Sequence, residues 1–291
     1  MAGLGQARAA ISIVNALPLG VGAAVGINWT ARSIARLAPG DRRTRAPAIE
    51  PRTSATPLVR TAARAALERY PPAQTGRRVR LRVRSSIPVA RGLKSSSAVA
   101  SSVVLAVARA GGHDPVPLEV ARLVAEVGRS TGVSATGALD DALAGVRPGC
   151  VVTDNRHDAE LRRIELGRDL GVALWIPPHT HPRSPTVRRR FAREPGLARR
   201  AVDLALAGDW AGAMDANSTL VEHAMGYRYG RLRAAVASAG AVASGVSGLG
   251  PALAVVGERT RLPALLRHLP RQGRRRTLGL FLEDAPPEGA P

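Results

Sequence analysis

Apolar and polar positions along the chain fall into patterns that read as distinct elements. In "RRVRLRVR" (77–84), Val79, Leu81 and Val83 share one face and Arg78, Arg80, Arg82 and Arg84 the other. This period of two predicts a half-buried strand. It runs into a loop of Gly, Lys and Ser and then into "SSAVASSVVLAVARAGG", an alanine-rich, proline-free stretch that predicts a buried helix. Its serines are expected to cap the start and Gly111-Gly112 to stop it. A second helix is predicted over "PLEVARLVAEVGRS", where Leu118, Ala121, Leu123, Val124 and Val127 follow helical spacing and the end falls near Gly128 or Gly132. Strands are expected around "CVVTDN", "LRRIELG" and "GVALWIPP".

The second half reads as helices near "LARRAVDLALAG", "WAGAMDANSTLVEHAMG" and "RYGRLRAAVASAG". "AVASGVSGLGPALAVVG" is an apolar strand, a glycine-rich turn and a second apolar run, and a helix around "LPALLRHL", a strand around "RTLGLFLE" and a frayed tail "DAPPEGAP" complete the chain. "LAPGDRRTRAPAIEPRTSATP" has the composition of an exposed loop. The segment style changes near Gly167, which places a domain boundary between 1–166 and 167–291.

The N-terminal "AAISIVNALPLGVGAAVGI" after Arg8 has the charge-then-apolar order of an export signal or a spanning helix. Asn15 and Pro18 oppose that reading, and "AISIV" is taken as a strand entering a glycine-rich turn and an amphipathic stretch; a cytoplasmic protein without membrane attachment is expected. "GVGAAVG" (20–26) is a near miss to a dinucleotide fingerprint, with Val25 at the third glycine and Asp41 in a loop rather than at a strand end.

A hydrophobic fraction of 45% over 291 residues suffices for a substantial core. Cys150 is the only cysteine, which excludes an intramolecular disulfide and suits a small buried apolar side chain. The net charge of +20 raises the possibility of an Arg-rich nucleic-acid-binding protein. Aromatic residues make up only 3% and the arginines are scattered, so a solvated surface and no specific nucleic-acid partner are expected. The histidines, His179 and His181 among them, lack metal-ligand spacing.

Lys94 is the only lysine among 42 basic side chains, and it stands in "RGLKSSSA" at a helix start. Outward backbone N–H groups, a helix dipole and an ammonium together suit phosphate. The plainer alternative is a tight turn with a capped helix and a surface lysine. No Walker A loop is present, because Leu93 precedes the lysine. In "SGVSGLGPA" (244–252), Gly245, Gly248 and Gly250 permit close approach of a ligand to the backbone.

These segments carry a family resemblance. "IPVARGLKSSSAVASSVVLAV" (87–107) resembles the second motif of the GHMP kinases, with Pro88, Gly92, Leu93 and Ser96 to Ala98 keeping the pattern, and its Lys-Ser-Ser-Ser form is similar to the archaeal-type shikimate kinases. "SIVNALPLGVGAAVGI" (12–27), "TGALDDALAG" (136–145) and "SGVSGLGPALAVV" (244–256) match further family segments in the expected order, although Leu249 stands where the third motif commonly has Thr. The resemblance implies an α+β, two-domain fold: an N-terminal αβ domain carrying the phosphate loop and a ferredoxin-like C-terminal domain. It also implies transfer of the γ-phosphoryl group of ATP to the 3-hydroxyl of shikimate with Mg2+. Homoserine or mevalonate kinase is the alternative within the superfamily.

By the same resemblance Pro88, Gly92, Leu93, Lys94, Ser95, Ser96 and Ser97, with Gly248 and Gly250, would cradle ATP, and Lys94 would bridge its β- and γ-phosphates. Ser96 or Ser97 and Glu126 are the candidate Mg2+ ligands, although Glu126 reads equally as an exposed helix carboxylate. Asp140 and Asp141 are both placed at the acceptor site as substrate-binding residues; Asp140 is assigned acceptor orientation or general-base work, against helix capping alone, and where only one can face the acceptor Asp141 caps the helix or meets solvent. Asn15 is a candidate for the acceptor pocket, and an arginine that the sequence does not single out is expected on the acceptor carboxylate.

Overall fold

The structure is a computed structural model that describes residues 2–39, 49–51, 56–72, 77–180 and 186–283. Its first half is built on a long hairpin, β1 (Ala2–Val14) against β2 (Val21–Pro39). The far half of β2 pairs with β4 (Arg77–Ser85), which carries the short parallel β3 (Ile49–Pro51). The near half pairs with β5 (Cys150–Asp154), which continues to β6 (Ala159–Ile164). Helices α1 (Pro57–Arg69), α2 (Ser95–Ala110), α3 (Pro117–Ser130) and α4 (Leu139–Val146) pack on this sheet.

The second half holds a four-stranded antiparallel sheet in the order β10 (Arg274–Gly279), β7 (Leu170–Ile176), β9 (Leu253–Glu258), β8 (Ala243–Val246). With it run α5 (Val187–Phe191), α6 (Pro195–Ala207), α7 (Trp210–Met225), α8 (Gly230–Ser238) and α9 (Leu262–Arg267). Two sheets with their own helices give the expected α+β class. The second sheet begins just after Gly167, yet one buried cluster spans both halves. It joins Ile11, Ile13, Val25 and Ile27 to Val172, Leu174, Ala254 and Val256.

That cluster explains the N-terminal sequence. Alternate residues of β1 and β2 face the second sheet, while Ala10 and Ala24 between them face α1–α4, so both faces are buried and the strands read as nearly continuous apolar runs. "GVGAAVG" is therefore strand for all but its first residue, which corrects the turn reading. Its glycines are small for packing reasons: a Cβ at Gly26 would strike the Ala144 carbonyl of α4. Among the described residues no helix is long and apolar enough to cross a membrane.

Other expectations divide. The strand at 77–85 and the helices at 95–110 and 117–130 form as the pattern predicts, whereas α1, β2, β3 and α5 lie where the pattern predicts no such element. Part of the presumed loop at 37–57 is β-structure and its last two residues, Thr56 and Pro57, open α1; residues 40–48 and 52–55, with Asp41 among them, and likewise His181 and the tail from 284 onward, lie outside the described residues. Cys150 is fully buried on β5, and burial pushes its thiol up to about 12, as suits an inert apolar filler.

β1 is pressed against α2 so closely that a Cβ on Gly5 would overlap the Ser102 carbonyl. Backbone cannot yield as a flexible side chain can, so Gly5→Ala should cost about 1–3 kcal/mol of stability. Thermal unfolding should show a drop in Tm of several degrees, and an unchanged Tm would mean that the helix stands off the strand.

Candidate active site

The loop 86–94 reverses its backbone three times through the left-handed region, at Ala90 (φ 55°), Gly92 (φ 80°) and Lys94 (φ 59°). Residues in this conformation turn successive N–H groups toward a shared concavity that suits an anion. Leu93 is buried in the central core and anchors the loop, and the Ser95 hydroxyl donates to the Ile87 carbonyl at 3.3 Å. Ser96 and Ser97 occupy the first turn of α2, partly exposed, and Pro88 is half-buried at the loop entrance.

The expected serine cap is absent. Lys94 itself is the N-cap of α2, and among the described residues no side-chain cap bonds to the first-turn amides. Those donors lie at the positive end of a sixteen-residue helix, an arrangement that suits an anion. The Lys94 ammonium lies 2.9 Å from Asp141 Oδ1, with the two side chains 11% and 13% exposed. Lys94 is thus directed into the site rather than out to solvent.

The third glycine-rich motif lies directly behind this loop. The Ser247 hydroxyl donates to the Gly92 carbonyl at 2.7 Å and accepts from the Ser12 amide at 3.1 Å, while the Gly248 amide donates to the Ser12 hydroxyl at 3.0 Å. A Cβ at Gly92 would overlap the Ser247 carbonyl, and one at Gly248 would come within 3.1 Å of Lys94 Nζ. Gly250 (φ 75°) leaves room for the Tyr227 ring, whose hydroxyl donates to the Leu249 carbonyl at 2.8 Å. The Leu249 side chain packs against the buried cluster that includes Leu220, Val221 and Val246, so an apolar contact replaces a hydroxyl at that position.

Asn15 is buried at the same junction. Its amide nitrogen donates to the Gly248 carbonyl (3.2 Å), its side-chain oxygen accepts from the Leu17 amide (3.0 Å), and its backbone N–H donates to Asn217 Oδ1 on α7 (2.9 Å). These bonds tie loops together and make Asn15 first of all a brace. Glu126 is exposed on α3 beside Arg129, with no contact to the 88–97 loop among the described residues.

Neither aspartate caps α4, because its N-cap is Ala138 in the left-handed conformation. That corrects the capping alternative for both. Asp140 is 3% exposed and accepts from Asn155 Nδ2 at 2.8 Å. Its carboxyl sits where a Cβ on Gly22 of β2 would lie, at 2.6 Å. Burial, then the charge of Asp141, raises the Asp140 carboxyl to about 7, against the opposing pull of Lys94. Asp141 takes the other side of the turn, toward Lys94, where consecutive helical side chains about 100° apart allow both roles.

A helix N-terminus with open amides, a cation and a buried carboxyl that titrates near neutrality form an arrangement suited to phosphoryl transfer onto an alcohol. The comparisons with known proteins agree. Residues 57–149 match the GHMP kinases N-terminal domain. The shikimate kinase of Halobacterium salinarum is 34% identical over 260 residues, covering 89% of either chain, and that of Pyrococcus furiosus is 32% identical over 269 residues, covering 92% of this chain and 96% of its own. The chain belongs to the shikimate kinase family. It is accordingly an ATP-dependent small-molecule kinase of GHMP type.

Solved structures fit that placement: a homoserine kinase from Cytophaga hutchinsonii superposes with a TM-score of 0.73 at 14% identity, covering 97% of this chain and 96% of its own. The Methanococcus jannaschii mevalonate kinase gives 0.71 at 13%, covering 97% and 98%. At such identity these two share the fold alone with this shikimate kinase family member. A cavity of about 520 Å³ between α7, α8 and β8, lined by Asp215, Arg233 and Ser244 among others, contains none of the loop residues.

Asp140 also links stability to pH. The unfolded chain releases this proton near 3.9, whereas the folded chain keeps it to about 7. Between those values the folded state binds the extra proton, so its stability is lost as pH rises and levels off above about 7. Asp140→Asn removes the titration while its amide oxygen can still accept from Asn155. The Tm of the variant minus that of wild type should therefore be more positive at pH 8 than at pH 4, by a few degrees; a difference independent of pH would place the titration elsewhere.

Proposed function

We propose that the chain transfers the γ-phosphoryl group of ATP to the 3-hydroxyl of shikimate. The observation that carries this reading is the meeting of Lys94, Asp141 and the open N-terminus of α2 at one loop, in a chain most of whose length matches shikimate kinases. Such a transfer asks mainly for positioning and neutralisation of charge. The first-turn amides of α2 bind phosphate oxygens, and the Lys94 ammonium, held against Asp141, offsets charge between the β- and γ-positions. Gly92, Gly248 and Gly250 keep the rim of the cradle free of side chains.

Asp140 accepts the proton of the acceptor hydroxyl. Its pKa near 7 places it where a general base is effective, with Asn155 fixing the orientation of its carboxyl. The oxygen donors suit a hard cation as well: Ser96 or Ser97 at the helix start and Asp141 beside Lys94 would hold Mg2+ on one side, with phosphate and water supplying the rest. The exposed Glu126, beside Arg129, fits that set less well. When bound, Mg2+ neutralises phosphate charge and orients the transferred group.

Supplied with ATP and a panel of acceptors, the protein should turn over shikimate in preference to homoserine or mevalonate; the reverse preference would reject this acceptor. Lys94→Ala should lower kcat/KM by about 100-fold or more with the fold intact, because no second lysine exists to substitute. Asp140→Asn should reduce kcat by about 100-fold and abolish an acid limb of the rate profile near pH 7. Asp141→Asn should weaken the hold on Lys94 and fall between these variants and wild type. Equal rates for wild type and Asp140→Asn would remove the base from this position.

A further inference from the structure

We infer that Arg156 holds the carboxylate of the acceptor. This assignment rests on the reading of the acceptor as a hydroxy acid, and it starts from two glycines. A Cβ at Gly22 would meet the Asp140 carboxyl at 2.6 Å, and a Cβ at Gly20 would meet Arg156 Nε at 2.5 Å. Two residues of chain span at most about 7 Å. The Arg156 side chain and the proposed base therefore both pack onto one short step of backbone, and each occupies space left by a missing Cβ.

The connection is also covalent and hydrogen-bonded. Asn155, which immediately precedes Arg156, donates its backbone N–H to the Gly20 carbonyl (2.8 Å) and its side-chain amide to Asp140 Oδ1 (2.8 Å). The backbone N–H of Arg156 is fixed in turn on Asp154 Oδ1 (2.8 Å). The base of the side chain is thus held while its guanidinium remains exposed, with no carboxylate partner among the described residues. The nearby Asp154 is engaged by His157 and Asp158 by Arg129, so neither quenches it.

Placement on neighbouring backbone positions suits an acceptor whose hydroxyl and carboxylate are close together. In shikimate the carboxylate carbon and the 3-hydroxyl oxygen are four bonds apart, about 5 Å at about 1.5 Å per bond. An acid whose hydroxyl reaches Asp140 would carry its carboxylate toward Gly20, where a planar guanidinium can bind it with two parallel hydrogen bonds. Gly20 leaves the Arg156 side chain room to lie there. Arg156 in this role selects and orients the acceptor and takes no part in the proton transfer.

Steady-state kinetics of wild type, Arg156→Met and Arg156→Lys, with shikimate and with its uncharged methyl ester, test the assignment. Loss of a charge-assisted pair should raise the KM for shikimate about 10- to 100-fold in Arg156→Met, with the KM for ATP and the Tm unchanged. The wild-type preference for the acid over the ester should vanish in Arg156→Met and return in part in Arg156→Lys. An unchanged KM for shikimate, or a retained preference, overturns the inference. Should wild type favour a different hydroxy acid, the shikimate reading falls and Arg156 is judged on that acid's KM by the same criterion. A wild type that favours an uncharged alcohol overturns both.

Discussion

The Ser247 hydroxyl is the tie on which the rest of the site depends. It donates to Gly92 in the phosphate loop and accepts from Ser12 near the end of β1, while Ser12 in turn holds the Gly248 amide. The partners are separated by 155 to 236 residues of chain, so three distant segments become one rigid unit through three hydrogen bonds. All of these groups are buried or half-buried, and each would be costly to leave unpaired. Loops that are individually glycine-rich, and therefore expensive to order, hold one another in place. The continuous core between the two sheets supplies the platform for that tie, since Ile11 and Ile13 flank Ser12 and lie in the same cluster as Leu93.

What could be read in the sequence was local. The alternation of Arg78 to Arg84, the alanine-rich helix after Lys94 and the acidic pair at 140–141 are visible because each needs only neighbours along the chain to make sense. β2 escaped reading because its two faces are both buried and its glycines answer to α4, an element more than a hundred residues away. The same holds for the site. Nothing near Asp141 in sequence indicates Lys94, and nothing near Gly20 indicates Arg156. Asn15 reads in the sequence as a residue of the acceptor pocket, and its bonds to Gly248 and Asn217 give it a bracing role as well. α1 has a legible signal that went unused: Thr56 caps it through Val59, and Pro57 opens the first turn.

The basic charge is resolved by the fold into two populations. On β2 and β4 the register sets Arg32 opposite Arg84 and Arg36 opposite Arg80 on an exposed face, where water screens like charges. Buried arginine is handled differently: Arg233 is matched to Glu222 and Asp215. Lys94 belongs to neither population. It sits between Asp141 and Gly248, in space where even a Cβ would approach Nζ to 3.1 Å. A compact ammonium fits there, whereas a guanidinium fork would need width that the glycine loop does not leave. The left-handed backbone at Lys94 costs about 1–2 kcal/mol for a residue other than glycine, which the tie through Ser247 and the Asp141 ion pair are placed to offset.

Asp140 shows how the fold sustains an unfavourable arrangement at the point of chemistry. Burial without a full cationic partner resists ionisation, since Lys94 is committed to Asp141 and Asn155 contributes a single neutral donor. A direct Lys94–Asp140 pair would be more stable and would depress the carboxyl into the range where it is always ionised and weakly basic. Setting the two aspartates on consecutive positions of α4 divides the labour: the first stays in a dry slot opened by Gly22, and the second engages the cation. The slot exists only because α4 is drawn against β1 and β2, with Gly145 touching the Arg8 backbone and Gly26 the carbonyl of Ala144. The close packing that made the N-terminal strands hard to read is therefore also what sets the proton affinity of the proposed base.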